Sequence, residues 1–331
     1  MKTILVTGGA GYIGSHISKA LARAGYQPVA FDNLSTGHRW AVRWGPLVVG
    51  NVEDRPAVRN ALEETRAEAV IHCAANALVG ESMENPYKYL HDNVVGSLAL
   101  LEAMHETRVP HLVFSSTCAT YGEPLTPAIS EEHLQSPTNP YGESKLFMER
   151  CMKWYERIHG ISWISLRYFN AAGADAESEI GESHLNETHL IPLVIEATLG
   201  SRSAVRVMGQ DYPTPDGTAI RDYIHVEDLA DAHLKAMQYL FAGGKSLAFN
   251  LGIERGYSVR EVIQAVEQVS ARKVPRTDSG RRPGDPAVLV ATTALARNVL
   301  SWTPRYQTIE GIIDTAWRWH VHKPARTASA V

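Results

Sequence analysis

The amino-acid sequence predicts an α/β fold in which helices wind both faces of a parallel sheet, followed by a smaller α/β lobe. Three observations lead there. Short apolar runs alternate with amphipathic segments of helical length through the first half of the 331 residues. A glycine-rich turn separates the first apolar run from the first amphipathic one. Beyond about residue 174 the alternation gives way to polar turns and more widely spaced helical patterns. Strands joined by helices of this length form βαβ units, whose right-handed crossovers bury a parallel sheet on both faces.

In chain order, "TILV" (3–6), "PVAFD" (28–32), "PLVVG" (46–50), "AVIHCAA" (69–75) and "HLVFSS" (111–116) read as strands. Amphipathic segments near 12–24, 54–66 and 84–107 lie between them. A long helical stretch, "PYGESKLFMERCMKWYERIHG", precedes a sixth strand, "ISWISLRYF" (161–169). "ADAESEIGESHLNE" (174–187) is acidic with no apolar period, and is expected to be a surface connection. "DYPTPDG" (211–217) has the chemistry of consecutive turns. Further helices are expected at 189–200, 227–241, 257–271 and 308–322, and the tail "ARTASAV" is expected to be loose. The first lobe is therefore placed at 1–174, rejoined by about 224–251, and the second at 175–223 and 252–331.

Composition narrows the class. Apolar residues make up 44% and charged residues 21%, as in ordinary globular proteins. A formal net charge of −4 gives no field for nucleic acid or an anionic membrane, so an anionic partner must be held by local cations. Cys73, Cys118 and Cys151 have no metal-type spacing and read as free thiols in a reducing compartment; no metal is expected. No apolar run is long enough for a signal peptide or a membrane span, so cytoplasmic residence is expected.

"TILVTGGAGYIGSHISKAL" sets Gly8, Gly11 and Gly14 between the first strand and the first helix. Glycines there let backbone amides approach a pyrophosphate, and the helix N-terminus favours negative charge. Asp32, eighteen residues on at the end of the second strand, would accept from an adenosine ribose and repel a 2′-phosphate. No arginine follows it in "DNLSTGH", which favours NAD over NADP. Together these features describe a Rossmann-type dinucleotide domain. "NPYGESK" places Tyr141 and Lys145 on one helical face. A phenol titrates near 10, so its use as a base near pH 7 needs roughly 4 kcal/mol of phenolate stabilisation, available from a lysine ammonium and a nicotinamide cation. Thr117 ends the fifth strand, where parallel sheets bind ligands, and is placed to share a substrate hydroxyl. Ser115 and Ser116 are expected to satisfy local backbone groups.

The motifs "TGGAGYIGSH", "VIHCAA", "SSTCATYG" and "PYGESK", in that order, resemble the extended short-chain dehydrogenase/reductase superfamily. "LRYFNAAGA", "PTPDGTAIRDYIHVEDLADAH" and "RRPGDPAVLVA" narrow the resemblance to the UDP-glucose (UDP-galactose) 4-epimerase family over nearly the whole chain. The resemblance implies Tyr141 as base, Lys145 on the nicotinamide ribose and Thr117 on the sugar hydroxyl. It implies an NAD pocket that also includes Tyr12, Ile13, Asn33, Asn51, Val52, Cys73, Ala74, Ala75, Asn93 and Phe169. On the UDP-sugar it implies Asn170, Arg221 and Arg282 at the diphosphate and Asp285 at the uridine ribose, with Leu190, Met208 and Leu289 lining the site. A homodimer pairing the helices 84–107 and 141–158 is implied as well.

Departures from the family pattern carry information. Nucleotide-sugar dehydratases resemble this chain but have an Asp–Glu pair after the threonine; Cys118 and Ala119 cannot do that work, which excludes a dehydratase. Cys118 reads as a packing thiol. Asn51 stands where many relatives have an Asp at the adenine, and its amide oxygen can still accept there; Ala77 stands where some relatives have a Lys near the cofactor phosphates, so weaker NAD retention is expected. Leu289 stands where some relatives have a Tyr, which leaves room for an N-acetyl group. UDP-pentose or UDP-glucuronate epimerisation is the alternative; the retained Tyr and Lys weigh against a non-catalytic NAD-binding regulator.

Overall fold

The computed structural model describes residues 1–282 and 285–322. Strands β1 (Thr3–Thr7), β2 (Gln27–Asp32), β3 (Leu47–Val49), β4 (Ala69–His72), β5 (His111–Thr117) and β6 (Ser162–Tyr168) alternate with helices α1 (Tyr12–Arg23), α2 (Arg55–Thr65), α3 (Val79–Glu84), α4 (Pro86–Thr107) and α5 (Pro140–His159). Then come β7 (Asn170–Ala172), α6 (Leu190–Leu199), β8 (Val205–Met208), β9 (Ile220–His225), α7 (Val226–Phe241), β10 (Leu247–Leu251), β11 (Gly256–Ser258), α8 (Val259–Ser270), β12 (Arg276–Ser279), β13 (Val288–Leu289), α9 (Ala294–Leu300) and α10 (Ile309–His322).

The central sheet has seven strands in the order β3-β2-β1-β4-β5-β6-β10, and every neighbouring pair is parallel. The inner strands are buried at almost every position, which is why they read as continuous apolar runs. One face packs α1, α7 and α9 on Ile4, Val6, Ile71 and Phe249. The other packs α2, α4 and α5 on Leu5, Val29, Val70 and Phe114. A separate core built from α6, α8, α10 and β8 around Val194, Val207, Ile263 and Ile313 stabilises the second lobe. No helix among the described residues is long and apolar enough to cross a membrane.

Helix ends follow their chemistry. Asn139 caps α5 by accepting from the Gly142 amide at 2.8 Å, with Pro140 at the first position. Ser258 and Glu261 form a reciprocal capping box on α8. The short strands of the second lobe (β8, β9, β11, β12 and β13) carry little periodic signal and go beyond the strands that the sequence predicts.

The acidic stretch 174–187 corrects a sequence expectation. It is not merely surface: Ala174, Asp175, Ile180 and Glu182 are buried. Its carboxylates are drawn in by Lys19 of α1, whose ammonium donates to Asp175 at 2.7 Å, Glu177 at 2.8 Å and Glu179 at 2.7 Å. The segment lacks an apolar period because charge pairing, rather than an apolar face, docks it. The tail "ARTASAV" lies outside the described residues.

Candidate active site

The predicted residues gather at the carboxyl edge of the central sheet. Order reversal between β1 and β4 opens a crevice there, where ligands of doubly wound sheets bind. Gly8 has φ +69°, and a Cβ on it would sit 2.8 Å from the Ala74 nitrogen; a Cβ on Gly14 would run into the Gly8 carbonyl oxygen. Only glycines allow α1 to start this close to the loop after β4, which carries Cys73, Ala74 and Ala75. Gly11 is the N-cap of α1 and no side chain caps it, so the first-turn amides at Tyr12 and Ile13 remain available to a pyrophosphate.

Asp32 accepts from the Ala10 amide at 3.0 Å and the Leu34 amide at 2.8 Å, one on each oxygen. A carboxylate has about four acceptor positions, so it can still take the two hydroxyls of a ribose. Asn33 accepts from the Ser35 amide in the adjoining turn. Asn51 and Val52 follow β3; the Asn51 side chain accepts from the Glu53 amide at 3.3 Å. Buried Asn93 is a clamp. It accepts from the Asn76 amide at 2.8 Å and donates to the Asn76 carbonyl and Ser144 Oγ, both at 3.0 Å, tying the loop after β4 to α5. Ala77 is exposed in that loop. Tyr12 turns its hydroxyl away, donating to the Gly173 carbonyl at 2.6 Å.

The reacting corner is built by α5 against the end of β5. A Cβ on Gly142 would strike the Ala119 carbonyl oxygen, so "PYG" lets the first turn of α5 settle onto the turn after Thr117. Tyr141 is thereby buried beside Thr117, whose hydroxyl acts on its phenol. Burial pushes the phenol up to about 12; Thr117 pulls it down and the Cys118 thiol pushes it up. Lys145 is also buried, which lowers its ammonium to about 8 against the attraction of Cys73 and Glu149. It donates to the Ser115 carbonyl at 2.9 Å and lies 4.7 Å from the Phe114 ring centre. The protein alone thus holds the phenol protonated, and a cationic ring above it would be needed to reverse that.

Ser115 and Ser116 do more than satisfy backbone. Ser115 Oγ pairs with His233 at 2.9 Å and Cys73 at 3.2 Å, whereas Ser116 donates to buried Glu149 at 2.7 Å. Glu149 in turn accepts from Ser165 and Arg167. The triplet of hydroxyls therefore divides between a buried polar network and one group, Thr117, at the crevice. Burial pushes the Cys118 thiol up to about 12, as befits packing rather than nucleophilic use.

The second lobe supplies the other wall. Arg221 pairs with Asp285 and donates to the Pro286 carbonyl at 2.7 Å. Strand β9, carrying Arg221, pairs with β13, carrying Leu289, in direct register. Leu289 packs with Cys118, Tyr121, Ile129 and Phe169, which puts it between Arg221 and the Thr117 corner. Asn170 opens β7, whose register with β9 sets it opposite Tyr223. Arg282 reaches Met208 at 3.6 Å, and Leu190 opens α6. Tyr212, which sequence reasoning missed, lines a cleft of about 500 Å³ with Arg282 and Asp285, and its buried hydroxyl lacks a partner among the described residues. Its signal was hidden in "DYPTPDG", read only as turns.

Comparison with known proteins agrees with this geometry. The pattern of the NAD dependent epimerase/dehydratase family matches residues 4–252. A UDP-glucose 4-epimerase of Rhizobium leguminosarum bv. trifolii is 50% identical over 96% of this chain and 97% of its own. The structure of UDP-glucose 4-epimerase from Brucella ovis in complex with NAD is 48% identical, covers 96% of this chain and 98% of its own, and superposes with a TM-score of 0.94. The Bifidobacterium longum UDP-glucose 4-epimerase in complex with NAD+ and UDP is 34% identical, with coverages of 98% and 99% and a TM-score of 0.92. A glycine loop, an acid at the end of β2 and a Tyr–Lys helix facing a strand-end threonine are thus found in a chain that belongs to the NAD dependent epimerase/dehydratase family.

Proposed function

We infer that the protein is an isomerase that uses NAD to invert carbon 4 of a UDP-hexose, interconverting UDP-galactose and UDP-glucose. The observation that carries this reading is Tyr141, buried in the first turn of α5 beside Thr117 at the carboxyl end of β5. NAD, held by the Gly8–Gly14 loop, Asp32 and Lys145, would supply reversible uptake of hydride from carbon 4. Tyr141 accepts the proton of the 4-hydroxyl, and Thr117 orients that hydroxyl. Lys145 holds the nicotinamide ribose and favours the phenolate. Arg221, Arg282 and Asn170 grip the diphosphate, since guanidinium forks match phosphate oxygens, while Asp285 takes the uridine ribose. The apolar wall around Leu289 and Phe169 leaves the 4-keto sugar free to turn about its diphosphate link. With hydride returned to the opposite face of carbon 4, Tyr141 gives the proton back to the 4-oxygen.

In this reading the chain divides into an NAD-binding lobe, completed by β10 beside β6, and a UDP-sugar lobe. Leu289 leaves room for an N-acetyl group, which extends the substrate range to UDP-N-acetylhexosamines. Exposed apolar side chains on α4 (Tyr87, Leu90 and Val95) and α5 (Phe147, Trp154 and Ile158) support a homodimer across these helices. The composition supports a cytoplasmic enzyme.

Incubation of the purified protein with UDP-galactose, with no cofactor added, tests the reaction. The anomeric proton followed by NMR should report UDP-glucose, and stoichiometric NAD kept through denaturant-free dialysis would refute weakened NAD retention. If no conversion occurs even with NAD added, the hexose reading fails; UDP-xylose in a parallel tube then tests the pentose alternative.

A further inference from the structure

Between β7 and α6 four metal-ligating side chains converge. Glu182, His184, Glu187 and His189 each offer one donor atom, and these atoms all lie within 4.8 Å of one another. Both histidines present Nδ1 to the same two carboxylates. His184 lies 3.4 Å from Glu182 Oε1 and 3.2 Å from Glu187 Oε2; His189 lies 2.5 Å from Glu182 Oε1 and 3.4 Å from Glu187 Oε1.

We propose that this cluster is a binding site for one divalent cation of the zinc class, with Glu182, His184, Glu187 and His189 as its ligands. Zinc bonds to imidazole nitrogen and carboxylate oxygen are about 2.0–2.2 Å long, so donors on a tetrahedral ion stand roughly 3.3–3.5 Å apart. Three of the four histidine–carboxylate separations are already at or close to that spacing. The fourth, His189 to Glu182, is a direct hydrogen bond that opens by somewhat less than 1 Å when the ion replaces the shared proton. Two imidazoles with two carboxylates form a donor set suited to zinc, whereas calcium and magnesium take oxygen ligands.

Charge fits the same assignment. The Glu182 and Glu187 side chains are 4% and 6% exposed, so their two negative charges are balanced within the cluster, by protonated histidines or by an ion that replaces those protons. A divalent ion with two neutral imidazoles supplies two positive charges, and binding releases the protons the histidines carried. The Thr188 and His189 amides donate to Glu187 Oε1 at 2.8 and 2.9 Å, which fixes that carboxylate's orientation. The histidine nearer solvent, His189, gives the ion an entry path, with its side chain 46% exposed.

The ion would act as a clip. The Trp319 indole of α10 donates to the Glu182 carbonyl at 2.9 Å, and His38, in the loop after β2, bonds the Ser183 carbonyl at 2.8 Å. His189 is the N-cap of α6. One ion would therefore fasten α10 and the β2 loop to the start of α6.

The test uses the full chain, stripped with EDTA and dialysed free of chelator. Titration with zinc chloride in a calorimeter should show one saturable equivalent per chain, and the thermal midpoint should rise with it. Cobalt(II) should give the strong visible absorption of a tetrahedral site. The double variant His184→Gln/His189→Asn should lose the equivalent, the midpoint shift and the cobalt spectrum while its far-UV circular dichroism stays that of the parent. Should the double variant misfold, His184→Gln alone should weaken zinc binding by at least tenfold. Absence of saturable zinc binding, or binding undiminished in a folded variant, would overturn the proposal and leave an ion-pair cluster only.

Discussion

His72 ends β4 directly beneath the glycine loop, with its ring between Thr7 Oγ1 at 2.6 Å and Ser97 Oγ at 2.8 Å. Burial, with the Lys145 charge nearby, lowers it from an ordinary value of 6.5 to about 3. The folded protein therefore keeps it neutral, whereas the unfolded chain protonates it below 6.5. Between those two values the unfolded state binds more protons, so stability rises with pH and is lost as acid is added. From pH 7 to pH 5 the loss from this one group is about 2 kcal/mol, taking 1.36 kcal/mol per pH unit below 6.5. For a chain of this length that is a fall of about 3 °C in the thermal midpoint. Other groups titrate over the same range in either direction, as burial holds His233 down to about 4 and pushes Asp222 up to about 7. The assay is therefore a difference: thermal midpoints at pH 7 and 5 for wild type and for His72→Gln, read on the slope with pH rather than on the level. The variant should lose about 3 °C less on acidification. Equal acid slopes in the two proteins would refute the assignment of a neutral, low-titrating His72.

Three further outcomes test the site. Tyr141→Phe should lower turnover of UDP-galactose by about 10²–10⁴-fold at unchanged bound NAD, measured by NMR and by cofactor release on denaturation; near-wild-type turnover would remove Tyr141 as base. Gly14→Ala drives a Cβ into the Gly8 carbonyl, so NAD affinity should fall sharply and stability by about 1–3 kcal/mol, checked by fluorescence titration and thermal melting. Leu289→Tyr should reduce turnover of UDP-N-acetylglucosamine far more than that of UDP-galactose, in a side-by-side rate comparison. No detectable turnover of the acetylated sugar by wild type would sink the idea of a roomier gate.

What sequence made legible was whatever rests on neighbours along the chain. A glycine turn must join strand to helix, so Gly8, Gly11 and Gly14 announced the pyrophosphate loop, and Asp32 followed from the end of the next strand. Helical spacing put Tyr141 and Lys145 on one face, and a strand end gave Thr117. The whole run of β1 to β6 and the long helices followed from apolar period, because burial on one or two faces imposes it.

Tertiary structure decided what depends on partners far apart in the chain. Lys19 pulls Asp175, 156 residues away, out of water, and no periodicity within 174–187 could signal that. Arg221 meets Asp285 only because β13 pairs beside β9. Gly142 matters because α5 lands on the Ala119 carbonyl, and Ser116 because Glu149 and Arg167 are buried behind it. The convergence of Glu182, His184, Glu187 and His189 likewise depends on the path of their loop, since the spacing E-x-H-x-x-E-x-H fits neither a helix face nor a strand face. Local chemistry is written in the order of residues; charge pairing and close approach exist only once the chain has closed on itself.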